Sequence, residues 1–390
     1  MGRGLPGYGV FKPDAMRDNT RLLQNQEYRM SLTQESLLAA LDAYVDPLIG
    51  RGLVAAGAVK EVELKWLGKP RIEIELGFPA AGYREELIAN IRAHLKQAAN
   101  TDAEVRVGWR IASHAVQKNL KPLPQIRNII AVASGKGGVG KSTVAANFAL
   151  ALAAEGSRVG ILDADIYGPS QPRMLGVGKE RPTSSDGKRM HPVAAHGIQV
   201  MSIGFLIDEE QPSIWRGPMA TQALNQLLGE TDWEDLDYLV VDLPPGTGDI
   251  QLTLSQRVPI SGAVIVTTPQ DIALLDARKG LVMFQRVEVT VLGVVENMSY
   301  HVCSSCGHHE AVFGEGGGDR LATQYGVELL GQLPLDIRIR EQADGGTPTV
   351  IAAPGSDPAL RYRAIARKAA ARLAYGVAGG AFPEISISED

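Results

Sequence analysis

One stretch limits the possible folds more than any other. It is "NIIAVASGKGGVGKSTVAANFALALAAEG", residues 128–156. An unbroken aliphatic run leads into a glycine-rich turn and then into an Ala/Leu-rich helix. Gly135, Gly140, Lys141 and Ser142 satisfy Gly-x4-Gly-Lys-Ser/Thr in the strand–loop–helix setting that a phosphate-binding loop requires. The small residues let the backbone N–H groups of Gly135, Gly137, Gly138, Val139, Gly140, Lys141, Ser142 and Thr143 converge on phosphate oxygens. The helix N-terminus adds positive potential there. Lys141 is expected to reach the β- and γ-phosphates and Ser142 to ligate Mg2+.

Such a loop needs a buried parallel sheet around it, and the rest of the chain supplies one. From Arg127 onward, continuous apolar segments alternate with helical ones: "RVGILDAD", "YLVVDLPP", "GAVIVTTP", "TVLGVVEN" and "VELLGQLP". Strands without polar alternation are covered on both faces. The expectation is an α/β fold: a doubly wound, mainly parallel P-loop NTPase domain over 127–376. A smaller α+β domain precedes it over 31–118. There, "SLTQESLLAALDAYVDPL" has a helical face of Leu37, Leu38, Leu41 and Val45, with Ser31 or Thr33 as cap. "AVKEVELKW" and "RIEIELGF" alternate as a hairpin, "REELIANIRAHLKQ" is amphipathic, and "AEVRVGWRI" is a third strand. The two prolines of "KNLKPLPQIR" mark 119–126 as a linker. Residues 1–30 and 377–390 are expected to be tails, the first disordered. Asp357 is the expected cap of the last strong helix.

Composition narrows the function classes. Hydrophobic content of 45% with 21% charged residues belongs to a soluble globular chain, and a net charge of −5 gives no general attraction to nucleic acid or anionic membrane. The first thirty residues hold no apolar run of the signal-peptide kind, no segment approaches a membrane span, and the two cysteines form no secreted disulfide framework. The expected compartment is the cytoplasm.

Carboxylates complete the phosphate site. Asp242 ends the apolar run of "DYLVVDLPPGTGD", at the carboxyl edge where open α/β sheets bind ligands. Asp163 and Asp165 end another strand, and period-two spacing puts both on one face of an extended segment. One is expected to assist the metal while the other positions the attacking water. The two cysteines, Cys303 and Cys306, form a Cys-x-x-Cys pair in "HVCSSCGHHE". Four-coordinate metal and cluster sites want four ligands, so the pair is half a site. Alone it is compatible with inert thiols, with a redox pair, or with zinc completed by His301, His308 and His309. Crowding all zinc ligands within nine residues would be cramped for one chain.

An ordinary P-loop does not ask for a second lysine, yet Lys136 follows Gly135. "GKGGVGKS" resembles the deviant Walker A loop of the ParA/MinD/nitrogenase-iron-protein class. "LDADIYGPS", "WRGPM", "VVDLPPGTGD", "TTPQ", "VENMS", "CSSCGHHEAVFGEGGG" and "LPLD" follow in order, and from about 125 to 375 the chain resembles the Mrp/ApbC group of iron–sulfur carrier ATPases. The front unit is similar to the small iron–sulfur-assembly-associated domain often fused to bacterial members. The resemblance implies a homodimer that binds ATP and Mg2+, with Lys136 crossing to the partner's phosphates. It places Asp165 at the attacking water, Asp163 near Mg2+ and Asn297 at adenine. It also implies one [4Fe-4S] cluster held by Cys303 and Cys306 of two chains, for transfer from a cluster donor to apo iron–sulfur proteins, with no nucleic-acid or membrane partner. The chain lacks the N-terminal four-cysteine cluster of the eukaryotic scaffolds. Two other functions compete: a partition-type ATPase acting on DNA or membrane, with zinc at the cysteines, and a reductase whose cluster delivers electrons. The basic residues Arg361, Arg363, Arg367, Lys368 and Arg372 of the last helix bear on the first.

Overall fold

The computed structural model describes residues 32–66, 68–206, 217–303 and 305–376; Ser31 and both expected tails lie outside them. Contacts divide the chain into two compact units, one built around Arg51–Ile74 and Glu85–Val107, the other holding the chain from Gly108 on.

The first unit runs helix Gln34–Ala43, β1 (Val59–Glu63), β2 (Arg71–Leu76), helix Arg84–Ala99 and β3 (Glu104–Trp109), with sheet order β1-β2-β3. Thr33 caps the first helix: its hydroxyl accepts from the Ser36 N–H at 3.1 Å, and its own N–H donates to Ser36 Oγ at 3.1 Å. This reciprocal box satisfies two N–H groups that the helix cannot satisfy itself. Leu37, Leu41, Leu87, Ile91 and Leu95 are buried at helical spacing, and Ile72, Ile74 and Leu76 alternate inward along β2. Val45 departs from the expected helical face. The helix stops at Ala43, Tyr44 turns extended ahead of Pro47, and Val45 is left 61% exposed.

The second unit is built on β4 (Ile126–Ala133), β5 (Val159–Asp163), β6 (Val193–Ala195), β7 (Ile198–Ser202), β8 (Leu236–Asp242), β9 (Gly262–Thr267), β10 (Val291–Val302), β11 (His309–Glu310) and β12 (Leu329–Pro334). Their order is β11-β10-β9-β4-β8-β5-β7-β6, and β12 pairs with β10. β4 runs parallel to both β8 and β9; β5 is parallel to β8 and β7, and β10 to β9 and β12. Within this sheet only β6–β7 and β10–β11 are antiparallel among the described pairs. Every residue of β5 and β9 is buried, as the lack of polar alternation requires. The chain leaves β4 toward β5 on one side and reaches β9 and β10 on the other, so β4 marks the switch point where such sheets bind ligands. Register then sets the chemistry: Asp163 lies opposite Asp242, and Asp242 opposite Val132, so these strands end level on one edge.

The helix Asp357–Tyr375 packs on helix Lys141–Ala154 and buries Tyr362, Ile365, Ala366, Ala369 and Ala370. Its cap is Ser356, which accepts from the Ala359 N–H, and not Asp357, which pairs with Arg361 at 2.7 Å. All five of its cations are spent within the chain. Arg363 and Arg367 pair with the fully buried Glu155 at 2.7 and 3.2 Å, and Lys368 and Arg372 pair with Glu328. No helix among the described residues is long and apolar enough to cross a membrane. Removing the charge of Glu155 strands two guanidinium groups that are about four-fifths buried. Glu155→Gln should lower stability by about 3 kcal/mol, read by urea unfolding; an unchanged midpoint would show that solvent holds those arginines.

Candidate nucleotide site and cysteine hairpin

β4 delivers the chain to the edge, and residues 135–140 turn it into the helix that starts at Lys141. Two glycines are required by contacts. At Gly135 a Cβ would collide with the backbone of Asp276, so helix Asp271–Arg286 rests against the start of the loop. Gly140 sits at φ +80°, a left-handed conformation costly for other residues, and a Cβ there would strike the Asn297 amide. Ser134 Oγ donates to the Lys136 carbonyl at 2.9 Å and braces the turn.

The Lys141 ammonium is buried. It pairs with Asp242, donates to Ser142 Oγ at 3.1 Å and lies 3.7 Å from Asp165. The fold thus gathers Lys141, Ser142, Asp165 and Asp242 at one point, although up to a hundred residues separate them. Burial raises the Asp165 pKa and the neighbouring Lys141 charge opposes that rise. Asp163 has different neighbours. β5 stops at Asp163, and the Asp165 N–H folds back to Asp163 Oδ1 at 3.2 Å, so the two carboxylates do not project together from one extended segment. The other Asp163 oxygen accepts from the Ser170 N–H at 2.9 Å, the Gln171 N–H at 3.0 Å and Ser202 Oγ at 3.1 Å. Asp163 therefore anchors the loop 165–171. Burial, and then the charge of Asp242, push its pKa up to about 7.

Gln171 escaped sequence reasoning. Fully buried, it donates through Nε2 to Asp242 Oδ2 at 2.9 Å and to the Ser142 carbonyl at 3.0 Å. A glutamine at the start of a four-residue helix belongs to no motif, so only the tertiary contacts find it. Lys136 is half-buried, and its ammonium makes no ion pair with any described residue. Asn297 is buried, and its Nδ2 donates to the Val139 carbonyl at 2.9 Å, so here it braces the phosphate loop.

The strand that carries Asn297 leads directly into the turn that holds the cysteines. β10 continues through Tyr300 to Val302, turns, and returns as β11, pairing His301 with Glu310 and Val302 with His309. Within the turn the Cys303 N–H donates to the His308 carbonyl and the Gly307 N–H to the Cys303 carbonyl, both at 2.9 Å. Cys303 is half-buried and Cys306 exposed. N–H groups of Cys306 and Ser305, with the Cys306 thiol, lower the Cys303 pKa and favour its thiolate. The histidines do not close around them. His301 Nδ1 lies 3.1 Å from the Leu335 carbonyl, His309 stacks on Tyr300 at 5.1 Å, and His308 is exposed. Among the described residues no three His, Cys, Asp or Glu gather as a metal site, so the zinc arrangement within one chain is not assembled. At its midpoint β10 is held by buried Glu296, which accepts from Ser299 Oγ at 2.6 Å, Gln332 Nε2 at 2.8 Å and the Gly318 N–H.

The elevated pKa of Asp163 gives the fold a pH dependence. The folded carboxyl keeps its proton up to about 7, and the unfolded one releases it near 3.8. The stability it contributes is complete below 3.8 and is lost as pH rises through about 7. Thermal unfolding without nucleotide should therefore show a decline over that window in the natural chain that Asp163→Asn flattens; parallel profiles would refute the assignment.

Comparison with known proteins gives the family of the chain. The family described as NUBPL iron-transfer P-loop NTPase, of the ParA type, matches residues 125–370, and a family of iron–sulfur cluster assembly proteins matches 34–107. An iron-sulfur cluster carrier protein of Haemophilus influenzae is 51% identical over 343 residues, 87% of this chain and 92% of that protein. The iron-sulfur cluster transfer protein NUBPL of Mus musculus is 52% identical over 277 residues, 70% of this chain and 86% of that one. A solved nucleotide-binding protein from Archaeoglobus fulgidus, in complex with ADP, is 40% identical with a TM-score of 0.52, covering 60% of this chain and 90% of its own. With the family match spanning the whole parallel sheet, the chain belongs to the NUBPL/ParA family of iron-transfer P-loop NTPases.

Proposed function

We propose that the protein is a homodimeric, ATP-binding and ATP-hydrolysing carrier that holds one bridging [4Fe-4S] cluster and transfers it to apoproteins. One observation carries this: the only two thiols stand on an exposed hairpin tip with no third ligand beside them among the described residues. Two thiolates are half of what a cluster takes, and a twofold interface presents the same patch twice. A shared cluster open to solvent can be released, as a carrier requires. The partition-type alternative is disfavoured by the last helix, whose cations are all paired within the chain.

At the other site, Gly135, Gly137, Gly138, Val139, Gly140, Lys141, Ser142 and Thr143 would cradle the phosphates of ATP. The oxygen donors gathered there suit a hard cation: Ser142 would hold Mg2+, with Asp242 and Asp163 acting directly or through water. Bound there, Mg2+ would neutralise β- and γ-phosphate charge. Lys141 leaves Asp242 for the phosphates. Asp165 orients the water that attacks the γ-phosphorus as ADP departs. Lys136, without an ion pair to any described residue, supplies positive charge to the partner's phosphates. Asn297 would turn from Val139 to the adenine edge. The cytoplasm is the proposed compartment, with a cluster donor and apo iron–sulfur proteins as partners and no nucleic acid or membrane.

Anaerobic reconstitution tests the carrier. About four iron and four sulfide per dimer are expected, and none in Cys306→Ala. Stoichiometric zinc that iron does not displace would defeat the proposal. For the trans lysine, Lys136→Ala should abolish hydrolysis, by about a thousandfold on the scale of an arginine finger, and spare nucleotide binding. Undiminished turnover would remove Lys136 from the mechanism.

A further inference from the structure

We infer that Gln171 is a positioning residue for the metal-binding carboxylate of Asp242. This rests on the ATP- and Mg2+-binding reading above. Both oxygens of Asp242 are engaged: Oδ1 by the Lys141 ammonium and Oδ2 by Gln171 Nε2 at 2.9 Å. The second Nε2 hydrogen goes to the Ser142 carbonyl at 3.0 Å, and the Gln171 N–H goes to Asp163 Oδ2 at 3.0 Å. One residue thus ties together the phosphate loop, the end of β8 and the loop after β5. Its amide orientation follows from chemistry, because a carboxylate and a carbonyl both require the NH2 side. The other side of the amide, Oε1, is buried and accepts from no described residue. An unsatisfied buried acceptor is unfavourable, and Mg2+ characteristically keeps several water ligands, which are donors of the matching kind.

The arrangement has a consequence once phosphates are bound. When Lys141 moves to the β- and γ-phosphates, Asp242 loses its cation partner. Gln171 remains as the neutral donor that keeps the carboxylate aimed while Oδ1 becomes free. A lysine or arginine at 171 would compete with the metal for Asp242. An apolar side chain would leave Oδ2 buried without a donor. The amide does neither, and groups that orient metal-binding carboxylates typically change metal affinity by about 10- to 100-fold.

The test is a Mg2+ titration of binding of a fluorescent ATP analogue to the full-length protein, starting from EDTA. Gln171→Met keeps length and volume. It should bind nucleotide in EDTA as the natural chain does, with the Mg2+ half-saturation point raised at least about tenfold. In an Asp242→Asn background the same substitution should add little, since Gln171 acts through that carboxylate. Gln171→Asn, polar but one methylene too short to reach both acceptors, should show the same Mg2+ shift, and serves if the Met variant does not fold. A Mg2+ dependence equal to the natural chain's, or additive effects with Asp242→Asn, would overturn the inference. Absence of any Mg2+-dependent nucleotide binding in the natural chain would instead overturn the ATPase reading beneath it.

Discussion

A buried ammonium shared among carboxylates holds the carboxyl edge of the sheet together. Lys141 pairs with Asp242 and approaches Asp165 in a site where Asp242 is fully buried. Taking such charges out of water costs several kcal/mol per ion, a cost offset here by donors on both oxygens of Asp242 and of Asp163. Gln171 covers one oxygen of Asp242, and three backbone N–H groups with Ser202 satisfy Asp163. The same balance makes the site responsive. A polyphosphate offers Lys141 a stronger partner than a carboxylate, and each group that Lys141 leaves must then be held by something else.

β10 joins this charge cluster to the cysteines. Asn297 touches the phosphate loop, Glu296 binds the start of helix Gly317–Tyr325 and the neighbouring β12, and Cys303 lies six residues further along. Met298, between the two ends, adopts φ +56°, unusual for a side chain of that size, where the pairing of β10 with β12 shifts register. The Tyr300–His309 stack and the two pairs of β11 then stiffen the hairpin. Both chemical centres therefore hang from a single strand, one at its middle and the other at its tip.

Much of this was legible in the chain. Unbroken aliphatic runs required a covered parallel sheet, and Gly-x4-Gly-Lys-Ser between a strand and a helix identified the phosphate loop. Period-two and helical patterns located the elements of the front unit. Local patterns were less informative at boundaries. Val45 continued the helical pattern but falls outside the helix, because Pro47 disfavours helix in the residues before it. Ser356, rather than Asp357, takes the cap. Asp163 and Asp165 looked like an extended pair, but the strand ends at the first, and the second folds back.

By itself the sequence determined the sheet type, the phosphate loop and the count of available thiols. These follow from local covalent facts: side-chain size, periodicity and residue spacing along the backbone. Only the tertiary structure decided which charges meet. Asp242 reaches Lys141 because parallel register ends β4 and β8 level, and Gln171 reaches Asp242 and the Ser142 carbonyl because Asp163 pulls its loop inward. It also decided that His301 and His309, beside the cysteines, are turned to other partners, the Leu335 carbonyl and the Tyr300 ring, and that His308 is left exposed. Long-range register and burial have no signature within any short window of sequence. They arise only when distant segments compete for the same buried space.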